Sequence, residues 1–183
     1  RGSLFFPDDF VTYGTAKAVN KALERLVEKE ELIRVAHGIY TRPKTDPELG
    51  VLRPTLDEIA RAIARRDRTR IIPTGAWALN ALGLSTQVPV NVVYLTNGSP
   101  RKITVGKRAI LFKKTSQRSI AAIGKISSLV IQALREIGRE EISDDQQQAI
   151  VNLLKQENAD HLVHDMRLAP EWIRKIFRQA LNK

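Results

Sequence analysis

Residues 5–41 read FFPDDFVTYGTAKAVNKALERLVEKEELIRVAHGIYT, and three signals follow one another there. Pro7 with the Asp8-Asp9 pair suits a single turn of helix, and Tyr13-Gly14-Thr15 then supplies a tight turn and, in Thr15, an N-cap. From Ala16 to Lys29 the apolar residues Val19, Leu23, Leu26 and Val27 recur at helical spacing on one face, leaving Lys17, Asn20, Lys21 and Glu24 on the other. Leu32 to Thr41 holds two β-rich stretches around His37-Gly38, the pattern of a short hairpin. Turn, helix and hairpin in that order is the sequence order of a winged helix-turn-helix, expected over residues 1–45.

That arrangement has a physical use. An α-helix fits the major groove of DNA, where its N-terminal residues meet base edges while the preceding element crosses the backbone. Thr15, Lys17, Asn20, Lys21 and Arg25 are the polar residues such a helix would present. Asparagine bridges N6 and N7 of adenine, and lysine reaches guanine acceptors or phosphates. Arg34 and His37, beside Gly38, suit backbone or minor-groove contact from the hairpin. Winged helices also dock proteins, in which case Lys17 and Lys21 are simply solvated.

Beyond this unit, Pro43, Asp46, Pro47, Gly50 and Pro54 mark a turn-rich linker. Thr55-Leu56-Asp57-Glu58 opens a helix with a capping box, and that helix ends in the basic run Arg65–Arg70. A brief strand at Ile71–Gly75 and a small-residue helix at Ala76–Leu82 come next. Strands are expected at Val90–Thr96, Lys102–Val105 and Arg108–Lys114, where basic and apolar residues alternate. The last third reads as helices over Ser119–Gly138, from the capping box Ser143–Gln146 to about Lys155, over Asp160–Met166, and from Pro170 as the first helical residue. The fold class is α+β, a winged helix followed by a mixed α/β domain over 54–183 with a helical end.

The chain has 183 residues with 30 Lys plus Arg against 20 Asp plus Glu, a formal charge of +10. The excess is uneven: residues 1–45 sum to +2, residues 46–118 to +8 and residues 119–183 to zero. A concentrated basic excess is the electrostatic footprint of a polyanion binder, which adds Arg65, Arg66, Lys107 and Lys113 to the candidate DNA contacts. At 43% hydrophobic residues the chain can build a core, while 5% aromatic residues argue against a base-stacking RNA surface. The absence of cysteine excludes disulfides and thiolate metal sites and fits a reducing compartment, hence a cytoplasmic location. No apolar run approaches membrane-spanning length, so no membrane partner is expected. Arg1 in place of Met suggests that the chain starts inside a longer native sequence.

Enzyme chemistry finds little support. There is no Walker-type glycine loop, dinucleotide fingerprint or Gly-x-Ser-x-Gly elbow. His161, His164 and Asp165 fall at i, i+3 and i+4, a spacing that either faces one ion or belongs to a short helix packed through Leu162 and Met166. The expectation is a protein that is not an enzyme and holds no metal or other cofactor.

Particular residues carry a family resemblance. They are Arg1-Gly2, Phe6, Asp9-Phe10, Gly14, Ala18-Val19, Ala22-Leu23, Arg25-Leu26-Val27, Ile33-Arg34 and Gly38-Ile39-Tyr40. Pro73-Thr74-Gly75-Ala76, Leu82-Gly83-Leu84-Ser85-Thr86-Gln87-Val88-Pro89 and Leu168–Ile173 extend the match along the chain. Together they resemble AbiEi-type antitoxins, a family of transcriptional regulators with an N-terminal winged helix. The resemblance implies a type IV antitoxin whose winged helix binds inverted repeats in its own promoter and represses its operon. Its C-terminal domain would counteract a nucleotidyltransferase toxin, a step that need not involve a stable complex. By the same resemblance Thr15, Lys17, Asn20, Lys21, Arg34 and His37 match recognition-helix and wing positions, and the first helix of the winged helix is truncated. The other readings are a protein-interaction module and an RNA-binding module using the basic surface.

Overall fold

Thr15 sets where the first helix starts. Its side chain accepts a hydrogen bond from the Ala18 amide at 3.3 Å, and α1 then runs Ala16–Glu28 in this computed structural model, which describes residues 3–182. Arg1 and Gly2, where the family resemblance begins, lie outside the described residues. Before α1 come a two-residue strand β1 (Leu4–Phe5) and a 3-10 segment, Pro7–Tyr13, anchored by Asp9 Oδ2 accepting from the Phe6 amide at 2.8 Å. After it come β2 (Ile33–Ala36) and β3 (Ile39–Thr41), joined through His37-Gly38, with Gly38 at φ +67°. β3 also pairs antiparallel with β1, giving a three-stranded sheet of order β1-β3-β2. Val19 and Leu23 of α1 bury against Leu32 and Tyr40, with Phe5, Phe10, Leu26 and Val27 packed around them.

The segment expected to be a turn-rich linker folds instead as a hairpin, β4 (Lys44–Asp46) and β5 (Gly50–Leu52). Asp46 Oδ1 accepts from the amides of Glu48 and Leu49 at 2.9 and 3.0 Å, so Pro47 and Gly50 belong to one tight turn rather than loosening the whole stretch. Helix α2 (Leu56–Arg66) has the expected capping box, with Thr55 and Glu58 bonded reciprocally. The chain then gives β6 (Ile71–Thr74), α3 (Ala76–Ala81), β7 (Val92–Thr96), β8 (Arg101–Val105) and β9 (Arg108–Lys114), in a sheet of order β6-β7-β9-β8. Two compact units result: residues up to 68 with 102–110, and residues 69–101 with 111 onward. The architecture is α+β.

In the second unit α4 (Lys125–Ile137), α5 (Asp144–Leu154), α6 (Ala159–Met166) and α7 (Glu171–Leu181) enclose a core of Val130, Leu134, Ile150, Leu154, Ile173 and Phe177. Several boundaries differ from expectation: β7 starts at Val92 rather than Val90, and two helix starts also move. Helix was expected from Ser119, but Ser116 caps a separate 3-10 turn (Gln117–Ile120) and α4 starts only after Gly124. Pro170 is the N-cap of α7 and not its first helical residue. The Ser143–Gln146 capping box is present as read.

The delayed start of α4 has a cause distant in sequence. Gly124 carries no side-chain cap, and two carboxylates from elsewhere serve its orphan amides. Asp165, fully buried, accepts from the amides of Ile123 and Gly124 at 2.9 Å and from the Ser127 hydroxyl. Glu157 accepts from the Ile126 amide at 2.8 Å and the Ser127 amide at 3.4 Å. Burial acts to raise the Glu157 carboxyl, but the amides of Ile126 and Asn158, the imidazole of His161 and the amide of Ser127 outweigh it and hold it below its ordinary value of 4.5.

A lowered native value means that this stabilisation is complete above the ordinary value and is lost as the pH falls through the lowered one. Glu157→Gln should therefore cost about 1 kcal/mol at pH 7, and the difference from the parent should vanish in acid. Urea denaturation at pH 7 and at pH 3 checks this. Gly124→Ala should be more severe, because a Cβ there would meet Ser127 Oγ and come within 2.6 Å of Glu157 Oε2. A loss of about 1–3 kcal/mol is expected in the same assay.

Candidate nucleic-acid interface

The eleven side chains singled out from the sequence are all exposed. Five of them ride on α1. Lys17 and Lys21 stand one turn apart on the face opposite Val19 and Leu23, Asn20 and Arg25 flank them, and Thr15 caps the helix just ahead. Arg34 lies on β2 and His37 at the hairpin tip. Arg65 and Arg66 end α2, and Lys107 follows Gly106 in the turn between β8 and β9. These ten belong to the first unit, whereas Lys113 belongs to the second.

The arginines of the basic middle third do not all offer free charge. Arg66 lies over the Phe6 ring at 4.4 Å and pairs with Asp67 at 2.8 Å. Arg61 pairs with Asp57 at 2.6 Å, Arg70 donates to the Ala122 carbonyl at 2.9 Å, and Arg101 stacks over Phe112 at 5.5 Å. Their charge holds helix ends and loops in place, which sequence composition alone does not reveal. Lys17, Lys21, Arg25, Arg34, Arg65 and Lys107 make no ion pair among the described residues.

Charge order along α1 is the informative feature. Lys17 and Lys21 occupy its first two turns and Glu24 and Glu28 its last two, against a helix dipole that favours acids first and bases last. Lys17 with Lys21, and Glu24 with Glu28, are also like-charge pairs at i, i+4. Only Arg25 follows the dipole. Helix α2 does the reverse, with Asp57 and Glu58 in its first turn and Arg65 and Arg66 in its last. Glu24 was read from the sequence only as part of the polar face; its significance needed the helix limits that show which turn it occupies.

On the side of α1 away from Lys17 lies a different kind of surface. A cleft of about 770 Å³ is lined by Phe5, Phe10, Tyr13, Leu23, Leu26 and other apolar groups, with Arg42 at its edge. The histidines of α6 serve the second unit's interior: His161 Nδ1 is 3.3 Å from Glu157 and His164 Nδ1 is 2.7 Å from Asp165. Both carboxylates face the start of α4, and among the described residues no three His, Asp or Glu groups are placed to hold a metal ion. Nor do Ser127, Asp165 and His164 form a proton relay, because the carboxylate stands between the hydroxyl and the imidazole.

An α+β chain with a cationic helix face thus belongs, by its sequence, to a family described as a family of unknown function (DUF6088), whose model matches residues 1–162. No curated protein matches the chain. No described helix is long and apolar enough to cross a membrane.

If the charges of α1 oppose its own dipole, removing one should stabilise the protein. Lys17→Glu is expected to gain about 0.3–1 kcal/mol, measured as a higher urea midpoint at low ionic strength. The gain should shrink as salt is added.

Proposed function

We propose that this protein is a DNA-binding autorepressor in which α1 enters the major groove, and that it acts as the antitoxin of a type IV toxin–antitoxin pair. The observation carrying the DNA reading is the unpaired cationic start of α1, held against the helix dipole. A helix for which fold stability alone mattered would be charged as α2 is. Anionic phosphates at its N-terminal half would supply what the helix lacks.

The surroundings of α1 support a winged helix. The 3-10 segment precedes it by a short turn, the β2–β3 hairpin follows, and β3 joins β1 in one sheet. In that fold the cleft beside Phe5 and Phe10 is the surface that a first helix covers. Thr15, Lys17, Asn20, Lys21 and Arg25 would meet the groove, Arg34 and His37 the adjoining backbone, and Arg65 and Lys107 more distant phosphates. Lys113 would be a phosphate contact of the second unit by itself. Arg66, committed to Phe6 and Asp67, would contribute only to the field. The antitoxin half, counteraction of a nucleotidyltransferase toxin by the C-terminal domain without an obligatory stable complex, rests on the resemblance to AbiEi-type antitoxins. A non-enzymatic, cytoplasmic protein without cofactor is part of the same proposal.

The cleft favours a second reading. An apolar groove of that size suits a protein helix, which would make the first unit a docking module.

Fluorescence anisotropy against the chain's own upstream DNA and a scrambled duplex, at two salt concentrations, tests both. About five phosphates neutralised would give a slope of log K against log salt near ~ −4.5. Asn20→Ala should cost about 1–3 kcal/mol on the specific duplex and relax sequence preference, while Lys107→Ala should weaken all duplexes alike. Binding that ignores salt removes the DNA reading. A stoichiometric protein partner without any DNA shift selects the docking module.

A further inference from the structure

Glu24 sits where a DNA-binding helix has least use for an acid. It occupies the same outward face as Lys17, Asn20 and Lys21, seven residues after Lys17 and three after Lys21. The distance from Thr15 to Glu24 along α1 is about 14 Å, within the length that a helix lays along the major groove. Glu24 is exposed and has no ion pair or hydrogen bond from its side chain among the described residues. It faces Glu28 one turn on, and it lies in the helix half where the dipole disfavours acids. Its spacing of three residues from Lys21 allows it a weak opposite-charge interaction on the helix surface, which offsets only part of these costs.

A carboxylate in that position would be repelled by every phosphate. The groove offers it a favourable contact only at an exocyclic amine, and the standard partner of an acidic side chain is N4 of cytosine. Resting on the DNA reading of α1 above, we infer that Glu24 is a specificity-determining residue that accepts a hydrogen bond from the N4 amine of a cytosine. The rise from Lys21 to Glu24 is about 4.5 Å, so this cytosine lies about one to two base pairs from the pair that Lys21 contacts. The like charge of Glu24 also lowers affinity for sequences lacking that base, sharpening discrimination rather than strength.

Selection of bound sites from a randomised duplex library, using the full chain and its Glu24→Gln variant, tests this directly. The parent should enrich a motif with a fixed cytosine. Glutamine pairs with N6 and N7 of adenine, so Glu24→Gln should replace that cytosine by adenine while the rest of the motif persists. On paired duplexes that differ only at this base pair, the parent should prefer cytosine by about 5- to 100-fold and the variant should lose that preference. Glu28→Gln, altered at the last residue of the helix, should keep the cytosine. If Glu24→Gln retains the same motif and merely binds all sequences more tightly, Glu24 is only a repulsive charge and the inference is overturned. If the parent itself enriches no motif while non-specific binding remains, specific DNA reading by α1 fails, and the role of Glu24 fails with it.

Discussion

The burial of Val19 and Leu23 against Leu32 and Tyr40 is the interaction on which the first unit depends. Once that stripe is fixed to the sheet, the 3.6-residue period leaves no freedom in what points outward. Lys17, Lys21 and Glu24 must face away from the core, whatever their charge costs the helix. The sheet that receives the stripe is itself small. Its pairing of β1 with β3 brings Phe5 beside Tyr40 at 6.2 Å and beside Phe10 at 5.7 Å, so aromatic area substitutes for strand length.

The second unit rests on a different device. Its four-helix core needs α4 to begin in a buried setting, and Gly124 brings no cap of its own. Asp165 and Glu157 answer several amides between them, and the two histidines complete the carboxylates from the outer side. A buried carboxylate is tolerable only when its acceptor sites are filled, and here they are filled by the helix end that would otherwise be unsatisfied. Two problems cancel, and α6 becomes fastened to α4 as a result.

What the sequence could reveal follows from how far apart interacting groups lie. Thr15 with Ala18, Thr55 with Glu58 and Ser143 with Gln146 are three residues apart, and the caps they form were legible without coordinates. The alternation in β7 to β9 was equally plain. The β4–β5 hairpin was masked because Pro47 and Gly50 signal a turn, and only three ladder residues on each side distinguish a hairpin from a linker. Arg66 with Phe6 and Arg70 with Ala122 span most of a unit, so a charge count cannot separate such arginines from free ones. The metal-like spacing of His161, His164 and Asp165 was real, but its meaning depended on Glu157 and on α4, whose positions no local pattern gives. In the candidate interface, the residues of α1 were legible because one helix carries them. How they relate to Lys113 was not.

Helices α1 and α2 make an internal comparison. Both are capped by a threonine, both bury an apolar stripe, and they are 13 and 11 residues long. Selection for folding would have charged them alike, with acids leading, as in α2. The opposite order in α1 persists against two unfavourable terms, the dipole and the repulsion of neighbouring like charges. In the proposed DNA complex a phosphate before Lys17 and Lys21 would relieve their mutual repulsion and complement the helix end, while Glu24 and Glu28 would gain nothing from it. A ligand that binds only the folded state stabilises it by mass action, so in the proposed complex relief of the Lys17–Lys21 repulsion would add to the binding energy. The proposed DNA reading therefore rests on the charge order of this one face and not on the net charge of +10.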